Sequence, residues 1–173
     1  DSRFSSWQQE FDSPTGYSNY CNCTVFCFRV IIFMHIELHP TIVHFPIALI
    51  VLAYVFQIIT VIKPDIVPKY LNLWVLVPAA LSTVPAILSG ERAEESLGKI
   101  SDGAHETLEN HELFANITTW GVLILTALWI YFTLKGKVNP QVQRLFLAFL
   151  TLIFTSVLIT GYLGGELVHI WDI

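Results

Sequence analysis

Four long apolar runs, separated by short charged segments, set the pattern of this chain. Residues 40–62, 70–90, 113–134 and 145–165 hold 23, 21, 22 and 21 consecutive positions without Asp, Glu, Lys or Arg. A hydrocarbon core about 30 Å thick needs roughly 20 residues of helix at about 1.5 Å per residue, so each run is long enough to cross it. None alternates apolar and polar with period 2, as strands of a membrane barrel do, and backbone in lipid has to bond to itself. The pattern therefore predicts an all-α fold: a four-helix transmembrane bundle of antiparallel hairpins, with spans at about 41–62, 70–90, 113–134 and 145–165. With 54% hydrophobic and 13% charged residues, the chain has the lipid bilayer as its first partner.

Within the runs, proline and small residues mark where helices begin and touch. Pro40 and Pro46 bracket the start of the first span, and Pro46 in an opening turn predicts a helix beginning near Thr41 or Val43. In the second span Pro78, Ser82, Pro85 and Ser89 recur at helical spacing, which predicts a face of close helix contact. Gly161 and Gly165 form a Gly-x-x-x-Gly pair in the fourth, suited to close packing inside the bundle or to a homo-oligomer.

Charge placement orients the bundle. The connections between spans 1 and 2 and between spans 3 and 4 carry Lys63, Lys69, Lys135, Lys137 and Arg144 against the single acid Asp65. The connection between spans 2 and 3 has Arg92 and Lys99 among Glu91, Glu94, Glu95, Asp102, Glu106, Glu109 and Glu112. By the positive-inside rule the short basic loops face the cytoplasm, which leaves both termini and the acidic loop outside. The net charge of −5 offers no basic surface for nucleic acid.

Residues 1–33 differ from the rest. All three cysteines, Cys21, Cys23 and Cys27, fall there, and the single methionine, Met34, follows. An odd cysteine count with no fourth ligand specifies neither a disulfide framework nor a metal site. Arg29 interrupts the one apolar run, so the stretch does not read as a signal peptide. The expected division is an N-terminal extension, or reading-frame artefact, at 1–33 and a four-helix membrane domain at 34–173.

The chemistry gathers on one side. His35, His39, His44, His105, His111 and His169 all fall at outer helix ends or in outer segments. His105 shares a helix face with Glu109 and Glu112, a solvated stripe, whereas His111 shares one with Leu108, Ala115 and Thr118 and is expected to point inward. His44 sits inside the first turns of its span, where an ionisable group costs about 2–3 kcal/mol unless it has a partner. Its depth matches that of His111, and Glu166 closes span 4 at the same level. Three arrangements satisfy these residues. Haem b could be held between imidazoles of different helices. A transition metal could be held by Glu91, Glu95, His111, Glu112 and the Glu166-x-x-His169 pair. Or His44 and Glu166 could form a polar lock between helices 1 and 4, with no cofactor. Spacing leaves all three open. His44, His111 and Glu166 are the expected cofactor-binding residues, with Glu91 and His39 next. Serine-nucleophile, phosphate-loop and zinc-hydrolase motifs are absent, so any enzymatic part is at most that of a redox subunit.

Four short motifs carry a resemblance. "HPTIVHFP" from His39, "GERAEES" from Gly90, "HE" at His111 and "GYLGGELV" from Gly161 resemble a bacterial family of small predicted membrane proteins known as domain of unknown function 2231. The likeness covers about residues 37–168. It implies a four-helix protein of the bacterial inner membrane, with both termini periplasmic on the charge pattern. Related chains are sometimes fused to cytochrome c-like domains, which implies redox partners, but the resemblance implies no established activity. Family members continue after "GGELV" to a His-Gly pair, where this chain reads "HIWDI", so Trp171 rather than His169 lies near that histidine position. The functional expectation is an inner-membrane protein with a His/Glu site at its periplasmic face, binding haem or a metal in electron-transfer company. The contrasting expectation is a non-enzymatic scaffold or assembly subunit.

Overall fold

A computed structural model describes the backbone of residues 18–68 and 70–171, and side chains from His39 onward. Its elements are four helices: α1 Ser18–Ile62, α2 Leu71–Glu95, α3 Asp102–Leu134 and α4 Pro140–His169. No strand occurs among the described residues, and all four helices are long and apolar enough to cross a membrane. The all-α four-helix architecture read from the sequence is the one observed.

Helix ends follow local chemistry. Ser101 caps α3 by accepting a hydrogen bond from the Ala104 N–H at 3.3 Å, and Asn139 caps α4 through the Val142 N–H at 2.9 Å, with Pro140 in the first turn. Gly136, at φ 62°, ends α3 in the left-handed conformation that glycine adopts without penalty. The start of α1 differs from expectation. It does not begin near Thr41 but runs unbroken from Ser18 through both prolines and across Met34. Each proline removes one backbone bond and strains its turn, yet membrane helices absorb this where neighbouring groups take up the freed carbonyls. Residues 1–17 lie outside the described residues, as do the side chains of Cys21, Cys23, Cys27 and His35.

The helices form a closed square. α1 packs on α2 and α4, and α3 packs on α2 and α4, while the diagonal pairs α1 with α3 and α2 with α4 do not meet among the described residues. Each helix contributes one buried stripe at alternating steps of three and four residues. On α1 it is Pro46, Ile50, Ala53 and Gln57; on α4 it is Phe146, Leu150, Ile153 and Val157. Trp129 and Phe146 meet edge to face at 4.3 Å between ring centres, closing the lysine-bearing end of the core. Large apolar side chains such as Trp74 and Leu134 face outward, 78% and 81% exposed, as lipid contact requires.

The predicted contact stripe of α2 is corrected. Its buried residues are Asn72, Val75, Leu76, Ala79, Ala80, Thr83 and Ala86, whereas Pro78 and Ser82 are half-buried and Pro85 is exposed. Proline lies to the side because alanine lets α1 and α2 approach more closely than a pyrrolidine ring would. Similarly, Gly161 and Gly165 meet nothing: a Cβ at either would have no atom within 4 Å. The α4 stripe continues through Thr160 and Gly164, which places the other two glycines off the contact face.

The stripes predict the cost of bulk. Ala53→Leu, at a position with no exposure, is expected to destabilise the bundle by about 1–3 kcal/mol. Ala48→Leu, on the exposed face of the same helix, should leave stability unchanged. Thermal melts of helicity in detergent compare the two, and equal effects would contradict the assigned faces.

Candidate functional site: two anchored histidines at the acidic end

Which histidine belongs to the bundle is decided by the α1 stripe. Seven residues before Pro46 lies His39, on the same face, whereas His44 lies two residues from Pro46 and so points about 200° away. His44 is accordingly exposed, and its Nδ1–H donates to the Pro40 carbonyl of its own helix. It does not meet Glu166, so the expected α1–α4 lock through these two side chains does not form. Of its apolar neighbours, Ile47 packs against the edge of the core, Val51 is half-buried and Ala48 is exposed.

His39 and His111 occupy matching positions in the two hairpins. The His39 ring is half-buried, with Nδ1 2.9 Å from Ser89 Oγ on α2 and the Ala86 carbonyl also in reach. It rests on Gly90, where a Cβ would come within 3.1 Å of its Cε1. The His111 ring, also half-buried, has Nδ1 3.0 Å from the Thr160 carbonyl on α4 and rests on Gly164, with 3.2 Å left for a Cβ. A Cβ at either place would be tighter than ordinary contact, so the ring would have to give by a few tenths of an ångström. The two imidazoles lie within electrostatic range of each other across the square.

Hydrogen bonding fixes the tautomers. A carbonyl can only accept, so Nδ1 of His111 carries the proton. Ser89 Oγ lies 2.8 Å from the Ala86 carbonyl, and with its hydroxyl donated there it accepts from His39, which places that proton on Nδ1 as well. In a neutral ring each Nε2 is then an unprotonated lone pair. Ligating histidines are held in this way by a second partner on the other nitrogen.

Acidic side chains surround this end. The carboxyl of Glu112, next in sequence to His111, lies against that of Glu94, with Glu91 and Glu109 in electrostatic range. Burial and these neighbouring carboxyls push the Glu112 carboxyl up to about 7. Glu94, not the expected Glu95, makes this contact, and Glu95 is exposed. Glu166 is half-buried and His169 exposed at the end of α4. Among the described residues no three His, Cys, Asp or Glu side chains are close enough to hold a metal ion as they stand. His105 pairs with Glu109 at 3.5 Å on the solvated face, as the spacing predicts.

The other end holds a polar cluster that sequence reading missed. Gln57, fully buried, donates to the Gln143 carbonyl at 2.9 Å and to Gln143 Oε1 at 2.8 Å, and accepts from Asn72 Nδ2. These amides tie α1, α2 and α4 together. Gln57 is the one amide in residues 40–62 and lies on the buried stripe, a signal that would have located it. Midway, Thr118 donates to Ser156 Oγ at 2.9 Å, linking α3 and α4.

With this geometry in place, comparison with known proteins is informative. A family model described as a predicted membrane protein (DUF2231) matches residues 35–173. The chain belongs to this family. The match takes in every helix-borne motif quoted above, and His39, Gly90, His111 and Gly164 of those motifs are the residues that meet at the acidic end. No curated protein and no solved structure matches the chain.

The tautomers can be read directly. Imidazole 15N spectra of selectively labelled protein should show His39 and His111 protonated on Nδ1. Gly164→Val should push the His111 ring from the Thr160 carbonyl and abolish its signature while leaving His39 unchanged.

Proposed function

We propose that this protein is a redox-associated membrane component whose two anchored imidazoles, His39 and His111, hold haem iron or a transition-metal ion near one face of the bilayer. One observation carries the reading: both Nδ1 atoms are engaged by acceptors, so both Nε2 lone pairs are available to a ligand. Imidazole suits iron, copper, zinc and nickel, and bis-imidazole ligation from two helices suits haem b. Glu94, Glu112 and the half-buried Glu166 supply negative charge that favours a cation at this end. His39 takes the role that sequence reading gave to His44. The contrasting reading, a scaffold or assembly subunit, is favoured by the same bonds, since His39 to Ser89 and His111 to Thr160 also fasten each hairpin.

Orientation follows from charge. With Lys63, Lys135, Lys137 and Arg144 at one end and the acids at the other, the histidine end faces the periplasm of a bacterial inner membrane, with both termini on that side.

Protein purified from membranes without chelators is to be examined by a reduced-minus-oxidised spectrum and by elemental metal content. Haem bands or stoichiometric metal are expected, lost in His39→Ala and in His111→Ala and kept in His44→Ala. Neither haem bands nor metal in the parent protein would sink the cofactor reading and leave the scaffold. For topology, a cysteine at Gly136, in a background with Cys21, Cys23 and Cys27 replaced by serine, should resist a membrane-impermeant thiol reagent in intact cells. Labelling there would reverse the orientation.

A further inference from the structure

At the opposite end from the histidines, a partly enclosed cavity opens between the start of α2 and the end of α3. Its walls are Tyr70, Trp129, Thr133, Gly136 and Val138. Thr133 is unlike other threonines of the bundle. Thr60, Thr107, Thr126, Thr151, Thr155 and Thr160 each donate their hydroxyl to the carbonyl four residues back. Thr133 Oγ1 makes no such bond; it is shielded from solvent without a hydrogen-bond partner, in the wall of the cavity. A hydroxyl left unbonded at the edge of a membrane is costly, and its persistence points to an acceptor supplied from outside the chain.

The electrostatics say which acceptor. Lys135 and Lys137 flank Gly136 in the cavity wall, both exposed, and the loop from there to Arg144 holds no acid. α2 begins beside Tyr70, and its Leu71, Leu73 and Trp74 N–H groups bond the Pro68 and Tyr70 carbonyls, so the donors for an anion here are side chains. The competing negative end of α3 is closed off, since the Gly136 and Lys137 N–H groups bond the Thr133 and Phe132 carbonyls at 3.1 and 3.0 Å. Trp74 and Leu134, both outward-facing, continue from this mouth as apolar surface.

We infer that the cavity seats the headgroup of an anionic phospholipid, with Lys135 and Lys137 balancing its charge and Thr133 Oγ1, turned toward the cavity on binding, donating to a phosphate oxygen. The acyl chains lie along the Trp74 and Leu134 surface, which distinguishes a lipid from free phosphate. Basic recesses between membrane helices recognise anionic headgroups by this combination of charge and hydrogen bonding. This site stands apart from the histidine end, and its failure would leave the proposed function untouched.

Native mass spectrometry of the full chain in detergent tests it, titrating phosphatidylglycerol against phosphatidylcholine with the same acyl chains. One phosphatidylglycerol should be retained about tenfold more tightly than phosphatidylcholine. Thr133→Val should weaken its retention about tenfold, and Lys135→Gln or Lys137→Gln roughly fivefold each. Thr133→Ser, which keeps the hydroxyl, should restore binding, and Val138→Trp, which fills the cavity, should abolish it. Unchanged circular dichroism melts establish that the variants remain folded. Equal retention of the two lipids, or full retention by Thr133→Val, would overturn the assignment. Displacement of the lipid by millimolar inorganic phosphate would assign the cavity to the free anion instead.

Discussion

The constraint on which the rest depends is that a polar group on an inward-facing stripe has no water to turn to. Between hydrocarbon and the packed core, each such group has to find its partner inside the protein. In this bundle the requirement is met by contacts between specific helices. His39 uses Ser89, His111 uses the Thr160 carbonyl, Thr118 uses Ser156, and Gln57 joins Asn72 to Gln143. Apolar contact alone would let the helices slide, because lipid tails are as apolar as leucine. The hydrogen bonds set which residue lies opposite which, and Gly90 and Gly164 leave the room that two of them need.

The same constraint determines what the acidic end can do chemically. A ring nitrogen committed to a carbonyl or hydroxyl acceptor holds its proton, and the opposite nitrogen is left as a base or a ligand. The fastening and the availability of Nε2 are therefore one arrangement, so the scaffold reading and the proposed ligand site rest on the same residues. Carboxyl groups from α2 and α3 gather at the same end of the bundle as these two potential ligands, which belong to α1 and α3.

Much of this fold was legible in the sequence because span length and charge are one-dimensional properties. Four charge-free runs required four helices, and Ser101, Asn139 and Pro140 marked two of the starts. What was not legible was the rotation of each helix about its axis. His44 looked inward from its apolar neighbours, but in a membrane helix apolar neighbours lie on every side, so they do not distinguish lipid from core. Small and amide residues do distinguish them. Ala53 and Gln57 point back along α1 to His39, and Ile153 and Val157 point along α4 to Gly164 rather than to Gly161 or Gly165. The exchange of Glu95 for Glu94 came from the same lack of an angular reference. The run of α1 through Pro40 and Pro46 was not legible because proline marks helix starts in water more reliably than in lipid.

The two ends of the bundle are fastened differently. At the lysine-bearing end the amides of Gln57, Asn72 and Gln143 join three helices from both hairpins into one unit. At the other end the histidines join helices only within their own hairpin, and the carboxyl pair of Glu94 and Glu112 reaches across. The molecule is thus built like a clothes peg, sprung at one end and divided at the other. A separation of the hairpins at the acidic end would leave the amide cluster and both histidine bonds intact while widening the gap between the two imidazoles.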